Sequence, residues 1–360
     1  MQISALTTQS VAYMIKENDK EGIMSITVKD VAKKAGVATS TVSRVVNNHP
    51  SISEATRKKV QKVMQEMGYV PNIAARNLGK RTSNAVGIIL PPLSSKERMA
   101  NPFFLEIIES ITDEARRNNM TTAVAVAKNL EDLLEDVKVM HTQKQVAGFI
   151  LAYAHQGDPV IEYLIAHDIA FTLIGQPYRQ HASINYIDND NQLLGQHATE
   201  HLIENGHRNI LFITNTVKEG IYFERYFGYQ KAMMLNQLKT FDSVSIIEHT
   251  DYADFEDTLI RTKATAIVVL DDIFALRVMQ LVQMYGYNVP DDISVVSFNN
   301  SILSTLTHPY LTTIDIDAGT LGHEAVQMLI RQLSGENTSN TKIVVPHELI
   351  ERETVIEYKK

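Results

Sequence analysis

Residues 36–48 read GVATSTVSRVVNN. At helical spacing Thr39, Ser40, Thr41, Ser43 and Arg44 crowd one face, and Val42, Val45 and Val46 point the other way. β-Branched and hydroxyl-bearing residues are mediocre helix formers, so a helix written this way is made for contact rather than for stability. Short hydroxyls let a backbone come close to phosphates and base edges, and an arginine one turn on can make a bidentate contact to guanine. A second stretch, HATEH at 197–201, fits H-x-x-E-H, with two histidines one turn apart as in some zinc hydrolases. The competing reading of those histidines is two partly exposed helix positions. No G-x-S-x-G or G-x-x-x-x-G-K-[ST] sequence and no nucleophile constellation is present.

Three helical patterns between Thr27 and Met67 present the first stretch. VKDVAKKAG places Val28, Val31, Ala32 and Ala35 on one face and stops at Gly36. TSTVSRVVNN follows after a turn of about three residues, the geometry of a helix-turn-helix. The third, SEATRKKVQKVMQEMG, has Ser53 as N-cap and Gly68 as its close. The valines are then the dry side of a recognition helix, and the hydroxyls with Arg44 its reading side.

Charge agrees with that division. From Met24 to Thr82 there are eleven Lys and Arg against Asp30, Glu54 and Glu66, a net +8, whereas residues 83–360 carry −15. A basic head on an acidic body implies that one end meets a polyanion and the other does not. The absence of cysteine excludes disulfides and thiolate chemistry and suits a reducing compartment. No apolar run reaches the roughly 20 residues of a membrane span, and the first 23 residues lack a signal-peptide core. The expected location is the cytoplasm.

After Thr82 short apolar runs alternate with amphipathic helical patterns: AVGIIL, TAVAVA, GFILAYA, AFTLIG, INYID, NILFIT, ATAIVVL and ISVVSF are of buried-strand type. Helices are expected near 103–119, 130–144, 191–205, 222–238 and 273–285. The stretch is too long for one parallel α/β unit, so two similar subdomains with a cleft are expected. Ligands of such sheets bind at the carboxyl ends of strands. That rule nominates Tyr153, Asp188, Asp271 and Asn299.

The segment from Thr27 to Leu78, TVKDVAKKAGVATSTVSRVVNNHPSISEATRKKVQKVMQEMGYVPNIAARNL, resembles the head of the LacI/GalR family of bacterial transcription regulators. The resemblance implies that Thr39 and Ser40 carry specificity, that Arg44 reads a guanine, and that Thr41, Ser43 and Asn47 hold phosphates. Ala38 stands where the family usually has a capping serine; a cap shifted to Thr39 would compromise that residue as a base reader. YVPNIAARNLGKR, 69–81, resembles the family's hinge, whose short helix carries Asn72 and Ala75 and places Leu78 between base pairs of the minor groove. For the body the resemblance implies a periplasmic-binding-protein-like core whose subdomains are joined by three crossings, near 186–187, 312–317 and 342–343. It also matches Arg225 to an effector-contacting arginine and gives Phe103, in NPFF, as a stacking surface. Planar Asp, Asn and Arg groups beside an aromatic ring suit a carbohydrate. NPFF, FILAYA and YIDNDN together are most similar to the maltose-operon repressor branch of low-GC Gram-positive bacteria.

The expected fold is therefore α plus α/β: a three-helix head at 24–68, a hinge at 69–83 and an effector-binding and dimerisation core at 84–360. Subdomain one is 84–186 with 316–342, and subdomain two is 187–315 with 343–360. The expected activity is that of a homodimeric repressor, not an enzyme, binding a palindromic operator under the control of a small sugar, maltose or a malto-oligosaccharide. No cofactor and no metal are expected. The rivals are a family member answering to a nucleobase or to a phosphorylated partner protein, a plain sugar-binding protein, and a zinc hydrolase. Residues 1–23 have no counterpart in the family pattern. Lys20-Glu21-Gly22 must be encoded by purine-rich codons resembling a ribosome-binding site just before Met24. Met24 is therefore the expected start, with 1–23 a mis-assigned extension, disordered if made.

Overall fold

The structure, a computed structural model, describes residues 26–46, 49–69, 83–95, 101–178, 184–215, 220–246, 252–336 and 341–359. The extension 1–23 and most of the hinge lie outside the described residues. The chain divides into two units, 1–81 and 82–360.

The first unit holds α1 (Val28–Ala35), α2 (Thr39–Val46) and α3 (Glu54–Met67). Asp30 starts α1 by accepting from the Thr27 hydroxyl at 2.7 Å and the Thr27 backbone N–H at 2.9 Å, and these bonds lower its pKa. Gly36 and Gly68 close α1 and α3 in the left-handed region, at φ 63° and 64°. Ser53 accepts from the Thr56 N–H at the start of α3. Val31, Ala32, Ala35, Val42, Val45 and Val60 form the small shared core.

The second unit contains two six-stranded sheets. Its strands are β1 (Ala85–Ile89), β2 (Thr121–Ala125), β3 (Gly148–Leu151), β4 (Phe171–Ile174), β5 (Asn185–Asn189), β6 (Ile210–Thr214), β7 (Val244–Ser245), β8 (Ala266–Val269), β9 (Ser294–Phe298), β10 (Thr312–Asp315), β11 (Lys342–Val345) and β12 (Glu348–Ile350). The first sheet, β11-β5-β4-β3-β1-β2, is wholly parallel. The second, β12-β10-β9-β8-β6-β7, is parallel except for β12 against β10.

Helices cover both faces of each sheet, as parallel strands require. They are α4 (Pro102–Arg117), α5 (Leu130–Thr142), α6 (Pro159–Ala166), α7 (Asn191–Glu204), α8 (Gly220–Leu235), α9 (Tyr252–Thr262), α10 (Asp272–Met284) and α11 (Ala318–Leu333). Alternation along β1 sends Val86 and Ile88 toward α4 and α11 and Ile89 toward α5 and α6. Along β6, Ile210 and Phe212 face α7 and α8, while Leu211 and Ile213 face α9 and α10. Among the described residues no helix is long and apolar enough to cross a membrane.

The chain passes between the sheets three times, after β5, β10 and β11, and the first and third passages correct the expected positions. β5 pairs with β11 from Tyr186↔Lys342 to Asn189↔Val345, so both strands stay in the first sheet about three residues beyond 186–187 and 342–343. The physical reason is the backbone ladder, which continues after the side chains turn polar. The Asn189 amide then donates to Ile316 O at 2.9 Å and Val345 O at 3.1 Å, joining all three passages at one buried group.

The closest helix contact lies between α7 and α8. An added Cβ on Gly195 would sit 2.0 Å from Arg225 O, and one on Gly228 would sit 2.0 Å from Gln192 O and 2.6 Å from Gln196 N. Neither obstacle is a flexible side-chain end. Gly228→Ala is therefore expected to destabilise the core by about 3 kcal/mol or more, through forced separation of two packed helices. Chemical unfolding of the purified variant against wild type measures the difference.

Candidate functional site

In the head, α2 begins at Thr39, because the Ala38 carbonyl accepts the N–H groups of Thr41 at 2.9 Å and Val42 at 3.2 Å. The cap position is thus Ala38 itself, and Thr39 stands in the first turn instead of capping it. Thr39, Ser40, Ser43 and Arg44 are exposed and Thr41 is half-buried, while Val42 and Val45 are sealed in the head's core. The His49 N–H closes the helix on Arg44 O at 2.9 Å, and Arg57 reaches His49 O from α3 at 3.2 Å. The hydroxyl face of α2 is therefore open and rigidly backed. Asn47, Asn72, Ala75 and Leu78 lie outside the described residues.

In the core, the structure brings Asp188, Arg225 and Asp271 together around a buried guanidinium. Arg225 comes from α8 and is 2 % exposed. Its Nε donates to Asn191 Oδ1 at 3.1 Å, its Nη1 to Leu270 O at 2.6 Å, and its plane lies 4.2 Å from the centre of the Phe298 ring. Asn191, the first residue of α7, in turn donates to Asp188 Oδ1 at 3.0 Å, and the Asn189 N–H donates to the same oxygen at 2.8 Å. Burial pushes the Asp188 carboxyl up to about 6, against the pull of these hydrogen bonds and of the Arg225 charge. Asp271 caps α10 through the Phe274 N–H at 2.8 Å; burial raises its pKa and Arg225 opposes the rise. The arrangement offers two carboxylates poised around a fixed cation at the ends of β5 and β8, which suits a ligand rich in hydrogen-bond donors and acceptors.

The other nominated residues stand apart from that cluster. Asn299 follows β9 at φ 102°, held by its N–H on Ile314 O, and lines an open cleft of about 810 Å³ between the subdomains. Glu106, Glu109 and Asp113 of α4 line the same cleft with Asp315 and Asp317. Burial raises the pKa of Glu106, and the charges of Asp315, Asp272 and Glu109 push it the same way. Phe103 is half-buried against Phe104 at 5.6 Å between ring centres, and its backbone N–H donates to Asn101 Oδ1 at the cap of α4. Tyr153 faces the opposite side of the first sheet, packed with the cluster of Phe149, Leu151 and Val160, and burial beside Asp158 raises its pKa.

Two groups were missed in the sequence. Asn191 was one more polar residue in YIDNDN, although its position as first residue of a helix after a strand was readable. Asp272 is 1 % exposed and accepts from Thr313 Oγ1 at 2.8 Å, from the Ser301 N–H at 2.7 Å and from Ser297 Oγ, tying the 299–301 turn to the start of α10. The two histidines of HATEH turn to different partners: His197 Nδ1 meets His347 Nε2 at 2.9 Å, and His201 is buried 3.8 Å from Glu351. Among the described residues no group of three His, Cys, Asp or Glu could hold a metal ion.

Residues 27–72 match the family described as bacterial regulatory proteins, lacI family, and residues 199–355 match the periplasmic binding protein-like domain. The HTH-type transcriptional regulator MalR of Staphylococcus xylosus is 33 % identical over 337 residues, which cover 91 % of this chain and 98 % of that protein. This chain is a LacI-family transcriptional regulator. Among solved structures, the lac repressor dimer bound to operator and the anti-inducer ONPF is 25 % identical with a TM-score of 0.74, covering 92 % of this chain and 99 % of that one. The CelR–cellobiose complex is 25 % identical with a TM-score of 0.70, covering 92 % and 100 %. As a LacI-family member the regulator is a DNA-binding protein and not an enzyme, with the fold of a helix-turn-helix head and a two-subdomain core.

Arg225→Met removes the charge that holds Asp188 down and leaves its burial in place. The Asp188 carboxyl is expected to titrate above its present value of about 6, with a stability loss of about 3–5 kcal/mol from leaving two buried carboxyls without their neighbouring cation. Carboxyl-carbon NMR titration and chemical unfolding of the variant measure the two effects.

Proposed function

We propose that this regulator represses a sugar-utilisation operon of the maltose or maltodextrin type and is controlled by a small carbohydrate, maltose or a malto-oligosaccharide, bound between the subdomains. The observation that carries the reading is the Asp188–Asn191–Arg225–Asp271 cluster at the strand ends, in a chain similar to MalR along nearly its whole length. Carboxylates and amides arranged around one guanidinium suit paired hydroxyls. The acidic lining of the cleft argues against a phosphorylated ligand, whose charge Glu106, Glu109, Asp113, Asp315 and Asp317 would repel. The effector contacts under this proposal are Asp188, Arg225, Asp271 and Asn299, with Phe103 as the ring beside the sugar.

On the DNA side, two copies pair so that their heads read the halves of a palindrome. Thr39 and Ser40 meet base edges, Arg44 a guanine, and Thr41, Ser43 and Asn47 phosphates. Asn72, Ala75 and Leu78 form the hinge contact in the minor groove. The exposure of the α2 hydroxyls and Arg44 over a sealed valine layer supports this assignment. The proposed boundaries are a head at 24–68, a hinge at 69–83 and a core from 84.

Arg44→Ala should weaken operator binding by about 1–3 kcal/mol and leave binding to random DNA nearly unchanged. Fluorescence anisotropy on both duplexes separates base reading from phosphate neutralisation; equal losses on the two would assign Arg44 to phosphate. Maltose or maltotriose should raise the melting temperature of the wild type and not that of Asp271→Ala, while the variant still binds operator. A screen in which a nucleobase stabilises the protein and no sugar does would overturn the carbohydrate reading.

A further inference from the structure

The third passage between the sheets is short, Pro346 and His347 between β11 and β12. Asn189 holds its start at Val345 O, and His347 holds the passage itself. The His347 Nε2 lies 2.9 Å from Nδ1 of His197 on α7, with ring centres 5.0 Å apart and planes tilted by 50°. Facing ring nitrogens at this distance share one proton, so one imidazole donates and the other accepts. His197 is the first histidine of HATEH, the motif that the DNA and ligand readings leave unused.

A metal ion fits the pair poorly. Among the described residues no third His, Cys, Asp or Glu joins it, and zinc takes three or four protein ligands. A proton fits it well. Two neutral rings keep the bond in either tautomer. One added proton goes to an outward nitrogen and leaves the shared one in place. A second sets two N–H groups and two positive charges against each other. We propose that His197 and His347 form a proton-operated latch, which fastens the third passage to α7 until the pair takes up its second proton.

The neighbouring groups confine the release to the passage. Burial and His197 push His347 below the ordinary histidine range, and Asp190, at the start of α7, pulls the other way. A lowered folded pKa makes the contribution to stability complete above about 6.5, the unfolded histidine value, and lost as pH falls below it. Burial lowers the pKa of His201 as well, but Glu351 and Glu204 face its charge once it forms, so β12 keeps that contact. Farther along, His207 Nε2 meets Ile356 O at 3.2 Å, and burial, with His201 and Arg208, lowers its pKa. Acid therefore opens the link at His347 while the contacts beyond it stay closed. The inference does not rest on the sugar or operator readings.

Hydrogen exchange read by mass spectrometry on the full-length protein tests it, with intrinsic rates corrected for pH. From about pH 7.5 to about pH 5 the amides of 347–350 should exchange about tenfold faster, while those of β3 change little. His347→Gln keeps a donor for His197 Nδ1 and has no second proton to gain. It should match wild type at the upper pH and rise less than about threefold at the lower. His197→Gln should behave alike. A wild type with no rise confined to this segment would overturn the proposal, as would glutamine variants that rise as much as wild type. On wild type alone, NMR titration of labelled histidine rings should give the pair two separate steps. Coincident, independent titrations of the two rings would overturn the latch. So would a change in exchange of 347–350 at neutral pH on adding EDTA, which would assign the pair to a metal.

Discussion

The core is organised around one carboxamide. Asn189 ends the last strand of the first sheet before the chain enters the second subdomain, and its two N–H donors reach carbonyls on the other two passages. A primary amide suits this point because it supplies two donors from one uncharged group. A carboxylate would set a charge against two carbonyl oxygens, and a hydroxyl has a single proton. Because the site is buried, each of those carbonyls would otherwise lose a hydrogen bond without gaining water. The relative placement of the two sheets, and of the polar residues at their ends, follows from this junction.

Arg225 has a comparable part inside the second subdomain. Its charge is balanced by Asp188 and Asp271, and an amide, a backbone carbonyl and an aromatic face hold it in place. The glycine seam between α7 and α8 makes this possible, since it lets the backbone carrying Arg225 approach the helix that starts with Asn191. Packing and electrostatics are therefore one arrangement here: without close-packed helices the guanidinium would not reach the strand ends.

Much of this was legible in the sequence where the determinants are local. The head's helices are written in caps, glycine stops and valine spacing, all within a few residues of one another, and the open face of α2 follows from them. The apolar runs of the core likewise mark strands, although TAVAVA is an edge strand with Val124 exposed rather than a buried one. Tyr153 shows what a strand-end rule omits. Alternation puts it in phase with Phe149 and Leu151, on the far side from Ile150 and Ala152, and that parity was present in the sequence. The passages were displaced because hydropathy follows side chains, whereas Asp188 and Asn189 remain in the ladder through their backbones. Asp272 could not be read in this way. Its three donors arrive from β9, β10 and the 301 turn, which are distant in sequence from α10.

Asp188 and Asn189 are neighbours in the chain, so a carboxylate beside the Arg225 guanidinium and the amide at the pivot are separated by about 3.3 Å of strand. In mechanical terms this is a very short lever arm. A tug of a few tenths of an ångström on Asp188 acts close to the fulcrum, and the angle it produces is multiplied along the radius of each subdomain. Displacement at the rim scales with the ratio of that radius to the arm, so the geometry gears a small chemical event at the strand ends into a large excursion at the periphery.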